Sequence, residues 1–212
     1  MPTSESYLDQ LKRWPKEGRH ILAGYDDRGV TVYQAYRPAI GHFASKAGYF
    51  GGEFSLSRMS WIKPNFLWMM YRCGWGTKPG QEVTLAVTIK REAFDLILAR
   101  AVHSSFAPGV YPEREAWKRA VAESDVRLQW DPDHDPHGAK LDRRAIQLGL
   151  RGSTLAAYAR EWILQIEDLS EFVSDQRRVL ADEGTDKLIV PKERVYPVAD
   201  PAVASRLGID TA

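Results

Sequence analysis

The run EVTLAVTIK, residues 82–90, constrains the fold more than any other stretch. Between its charged ends every residue is either β-branched or apolar. A strand apolar on both sides is buried on both sides, so it reads as a central strand. The chain around it has 212 residues, the size of one domain with at most a small appendage.

The segments on either side supply neighbours. Ile21–Tyr25 and Val30–Tyr36 flank Asp-Asp-Arg-Gly, a hairpin pattern. In the second run Val30, Val32 and Gln34 share one face, and Thr31, Tyr33 and Ala35 the other. Pro38 and Gly48 bracket a helix whose Ile40, Phe43, Ala44 and Ala47 fall at helical spacing. Gly51-Gly52 marks a loop. MSWIK reads as a short strand, and Pro64 as the first residue of a helix ending at Gly74.

Further on, REAFDLILARAV predicts an amphipathic helix. A proline-rich loop, a polar helix around Glu113–Glu123 and a strand, VRLQW, follow. DPDHDPHGAKLD reads as a turn-rich connector, RAIQLGL as a final strand, and STLAAYAREWILQI as one helix carrying Leu155, Tyr158, Ala159, Trp162 and Ile166 on one side. These elements predict an α+β fold: a single domain over residues 19–170, with a mixed or antiparallel sheet and short flanking helices. Residues 1–18 read as an N-terminal extension and residues 171–212 as a C-terminal arm.

Composition excludes several classes. The formal charge of +1 gives no global field for nucleic acid or anionic membrane, so such binding needs a local patch. Cys73 is the one cysteine, which rules out an internal disulfide framework or a multi-cysteine zinc site. The N-terminal residues lack a signal-type apolar core, and no window reaches the ~20 apolar residues of a membrane span, so a cytoplasmic protein is expected. Neither the dinucleotide-binding nor the P-loop glycine pattern occurs.

The candidate site centres on MSWIKPNFLWMMYRCGW, residues 59–75. Phe66, Leu67, Met70 and Tyr71 suit core packing. Arg72 suits the last turn of a helix, whereas Lys63 beside a helix start opposes the dipole and makes sense if an anion binds there. Trp61 and Trp75 beside these cations are what a nucleotide needs for stacking and phosphate neutralisation. Gln34 is a lone polar side chain on an apolar strand face that must find partners, with Tyr33, Tyr36 and Arg37 adjacent. Gln147 repeats that pattern in the late strand, and Gly149 permits close approach to the backbone. Asp131, Asp133, His134, Asp135 and His137 are of metal-ligand type, but their Asp-Pro repeats match turn chemistry better than any metal motif.

VYQAYRPAIGHFA, MSWIKPNFLWMMYRCGWG, VRLQWDPDHDPHG and RAIQLGL together resemble a family named only as a domain of unknown function, number four-two-nine-one. A weaker resemblance is to ADP-ribosyltransferases, especially DarT-like enzymes that modify DNA bases. It implies an ADP-ribosyltransferase-like fold and NAD as substrate. Lys63 would stand near the functional arginine, and Gln147 where the catalytic glutamate is expected. On that reading Lys63 and Gln147 are the catalytic positions, and Tyr33, Gln34, Tyr36, Arg37, Trp61, Tyr71 and Arg72 the NAD-binding ones. The acceptor would be DNA, RNA or another macromolecule. Two alternatives remain open: a non-catalytic nucleotide or nucleic-acid binder, and a metal-dependent hydrolase at Asp131–His137.

Overall fold

A computed structural model describes residues 2–210. Its elements, in chain order, are β1 (Ser4–Ser6), α1 (Tyr7–Leu11), β2 (Gly18–Arg19), β3 (Leu22–Tyr25), β4 (Gly29–Tyr36), α2 (Pro38–Ala47), β5 (Ser60–Ile62), α3 (Phe66–Cys73), β6 (Val83–Lys90), α4 (Arg91–Arg100) and β7 (Ala101–His103). Then come α5 (Arg114–Glu123), β8 (Val126–His134), β9 (Lys140–Leu150), α6 (Gly152–Arg160), β10 (Ile163–Asp168), α7 (Ser170–Glu183), β11 (Ile189–Pro191), β12 (Arg194–Val195) and α8 (Pro201–Leu207). The fold is α+β, with mixed and antiparallel pairing.

The strands form two five-stranded sheets and a small antiparallel pair, β1-β11, rather than one sheet. The first has the order β10-β6-β4-β3-β12. The second has the order β2-β9-β8-β7, with β5 also paired to β9. As its sequence requires, β6 lies inside the first sheet, antiparallel to β10 and β4. Val83, Leu85, Val87 and Ile89 enter a core shared with Val126, Leu128, Ile146, Leu148 and Leu150 of the second sheet. Ala86 faces a second core under α3 and α7, with Tyr33, Phe66, Met70 and Val173. One bridge ties the sheets together: Tyr33 N donates to Lys63 O at 2.7 Å, and Lys63 N to Tyr33 O at 3.2 Å.

Four local readings need correction. The expected helix 153–166 ends at Arg160, and Ile163–Asp168 is the strand β10. The apolar periodicity runs on through Trp162 and Ile166, but the open edge of β6 takes that segment as a partner. Helix α4 stops at Arg100, and Ala101–His103 pairs parallel to β8. The connector 131–142 is mostly strand: β8 and β9 meet in a hairpin whose turn is Asp135–Ala139. There the Asp135 carboxylate accepts from His137 N and Ala139 N. Pro132 is accommodated because the register shifts beside it. Lastly, Asn65 rather than Pro64 starts α3, its side chain accepting from Trp68 N at 2.7 Å.

Both terminal segments reach the interior. Tyr7 and Trp14 are buried. Residues beyond 170 add β12 to the first sheet and bury Glu193, Tyr196 and Leu207. Met1, Thr211 and Ala212, the outer ends of those segments, lie outside the described residues.

Candidate active site

Lys63 sits where the two sheets join and α3 begins. Its backbone is fixed by the Tyr33 bridge. Its side chain is only 6% exposed, yet it makes no hydrogen bond or ion pair among the described residues. Burial, and then repulsion from Arg72, pull its ammonium from the ordinary 10.5 down to about 8, against smaller opposing effects of Cys73 and Asp131. The helix start expected to take an anion is filled by the protein's own Glu193, whose carboxyl group accepts from Phe66 N at 2.7 Å and from Asn65 Nδ2 at 3.0 Å and which burial pushes well above the ordinary carboxylate range. Lys63 is therefore left without that partner.

Two hollows meet at this lysine. The larger, about 490 Å³, is lined by Gln34, Tyr36, Arg37, Trp61, Lys63 and Arg72 among others, with Arg58, Glu53 and Phe54 at its loop side. The smaller, about 340 Å³, has Trp61, Lys63 and Arg72 in common with it and adds Trp68, Gln129, Asp131 and Gln147. Six of the nine sequence-derived residues thus line one cleft, and Gln147 lines its extension.

The register explains this grouping. Gln129 pairs with Gln147 across β8 and β9, and extending the Ile62–Leu148 pairing by one residue sets Lys63 beside Gln147. Lys63, Gln147 and Gln129 therefore form a row across three strands. Asp131 lies two residues further along β8, on the same face. Its Oδ1 accepts from Gln129 Nε2 at 2.8 Å and its Oδ2 from Gln147 Nε2 at 2.7 Å. The indole of Trp61 lies across Gly149, where an added Cβ would come within 3.0 Å of the ring and 2.6 Å of Met59 Sδ. The close approach that Gly149 permits is therefore that of Trp61 and Met59.

Other residues have different surroundings. Gln34 is 2% exposed. Its amide nitrogen donates to Tyr36 Oη at 2.7 Å, Ser60 Oγ at 2.9 Å and Trp61 O at 3.2 Å, and its oxygen accepts from Tyr158 Oη at 2.7 Å. Gln34 thus anchors Tyr36 and β5. Burial holds the Tyr36 hydroxyl well above the ordinary phenol range, so it stays protonated. Arg37 pairs with Glu53 at the mouth. Tyr33 faces the opposite side of β4, edge-on to Phe66, outside the cleft. Tyr71 is also outside it, 41% exposed and stacked on His134 with ring centres 3.5 Å apart.

In the Asp131–His137 stretch, Asp133 forms a buried ion pair with Arg143 at 2.6 Å, and Asp135 holds the turn. Among the described residues no three His, Cys, Asp or Glu side chains are grouped to hold a metal ion. The sequence reading assigns Gln129, Tyr158 and Ser60 no part in the site, placing Tyr158 only on the apolar side of a helix. Gln129 carries the same signal as Gln147, a lone amide in an apolar strand.

The molecule is thus an α+β protein with a cationic, aromatic-walled cleft at the junction of two sheets. Residues 20–196 match the family described as Domain of unknown function (DUF4291), and the chain belongs to that family. No curated protein matches it. Among the described residues no helix is long and apolar enough to cross a membrane.

Proposed function

We propose that this cleft binds NAD and that the protein is an ADP-ribosyltransferase-like enzyme that passes ADP-ribose to a nucleic acid or another macromolecule. The observation that carries the reading is Lys63: a buried cation that makes no side-chain hydrogen bond or ion pair among the described residues and opens into both hollows, with the Asp131 carboxylate acting on it only through space. A dinucleotide pyrophosphate supplies the directly bonded anion that Lys63 lacks, with Arg72 as the second cation. Trp61 and Tyr36 offer aromatic faces to the rings. In the reaction the C1′–N bond of NAD breaks and its electron pair leaves on neutral nicotinamide. The acceptor nitrogen or oxygen then bonds to C1′ and gives up its proton. Positioning and the electrostatics of a half-enclosed site supply the acceleration.

The test is incubation with NAD, with and without DNA, RNA or cell extract, following free nicotinamide. Release that disappears in Lys63→Met supports the reading; no release under any condition refutes it. A second reading, a nucleotide or nucleic-acid binder without turnover, draws on the exposed Arg72 and on Arg37 and Arg58 at the mouth of the cleft. It predicts salt-sensitive binding with no nicotinamide released.

A further inference from the structure

We infer that Asp131 is the catalytic carboxylate of this site. The inference rests on the NAD reading above. Gln147 on β9 lines the smaller hollow, but its amide carries no charge and cannot take a proton. Its amide instead donates to Asp131 on the neighbouring strand. Gln129, its pairing partner, donates to the other oxygen of the same carboxylate.

The surroundings of Asp131 differ from those of its sequence neighbours. Asp133 is consumed by Arg143 and Asp135 by two backbone N–H groups of the turn. Among the described residues Asp131 makes no ion pair, though its charge acts on Lys63 through space; it is half-buried and faces the smaller hollow, where it is the one carboxylate among the described lining residues. Each of its oxygens accepts one amide hydrogen, which fixes the plane of the group and leaves lone pairs directed elsewhere. Two glutamines from two strands thus hold a carboxylate that makes no ion pair among the described residues at a cavity that also holds Lys63, on which its charge acts, and Arg72.

The chemistry follows from that placement. As the C1′–N bond lengthens, positive charge develops on C1′ and its ring oxygen, and a fixed carboxylate nearby stabilises it. When the acceptor adds to C1′, its proton passes to Asp131 and from there to solvent. Gln129 and Gln147 are positioning residues, because they act by orienting Asp131.

The experiment compares Asp131→Asn and Asp131→Ser with the wild-type chain. Nicotinamide release gives kcat, calorimetric titration gives the Kd for NAD, and circular dichroism confirms the fold; the smaller serine serves if the asparagine variant does not fold. The expected result is a kcat at least 100-fold lower with Kd changed less than threefold. Gln147→Ala should lower kcat about tenfold, also with Kd preserved. Wild-type turnover with Asp131 variants within threefold of it overturns the assignment and leaves the NAD reading standing. A wild-type chain that neither binds nor consumes NAD overturns both.

Discussion

Replacing Lys63 with methionine should make the protein more stable. The methionine side chain keeps the length and most of the volume of the lysine stem and removes a charge that has no hydrogen-bonded partner in the described structure. An ammonium that dissociates near 8 in the fold rather than at 10.5 costs about 3 kcal/mol to keep charged at neutral pH. The folded pKa is the lower one. Below pH 8 both states carry the charge and the full penalty applies. Between 8 and 10.5 the folded chain sheds its proton first and the penalty fades. Above 10.5 both states are neutral and it is gone. Lys63→Met should therefore gain about 3 kcal/mol at pH 7, roughly 6–12 °C in melting temperature for a chain of this size. The gain should shrink steadily from pH 8 upward. Urea unfolding of both proteins at pH 7 and pH 10 reads both quantities. A variant less stable than wild type at pH 7, or a difference that ignores pH, would show that the ammonium is satisfied in place and would remove the reason to seek an anion beside it.

Three other outcomes follow from packing and polar contacts. Gly149→Ala pushes a Cβ against Trp61 and Met59, so it should cost about 1–3 kcal/mol and weaken NAD binding, both measurable on one sample by unfolding and calorimetry. Asp133→Asn leaves Arg143 as an uncompensated buried cation and should cost about 3–5 kcal/mol in urea unfolding, with the β8–β9 hairpin loosened in hydrogen exchange. Asn65→Ala removes the α3 cap and a donor to Glu193, and should lower stability by about 0.5–2 kcal/mol.

What could be read from the sequence was set by local signals. The central strand β6, the β3–β4 hairpin and the bracketed helix α2 follow from alternation, turn residues and the proline and glycine that frame them. The break between α6 and β10 was hidden, because helical periodicity continues through Trp162 and Ile166 while the decisive force is the unpaired edge of β6. At the site, Lys63, Trp61 and Arg72 were recognisable because they cluster around one strand-to-helix junction. The alternation already placed Tyr33 on the face opposite Gln34, and the structure keeps it there. Tyr71 was not predictable, since its place depends on His134 from a strand distant in sequence. The capping of α3 by Glu193 and the hold of Gln129 and Gln147 on Asp131 depend on strand register and long-range packing, which no local pattern encodes.

The most direct test of the central claim is the proton balance of NAD binding at pH 8. Lys63 is then about half protonated, and a pyrophosphate seated beside it draws the missing proton from buffer. Calorimetry in two buffers of different ionisation enthalpy should show wild-type protein taking up about half a proton per NAD bound. Lys63→Met should bind more weakly and take up none. Binding without proton uptake, or uptake unchanged in Lys63→Met, would contradict the claim that this lysine receives the ligand's charge.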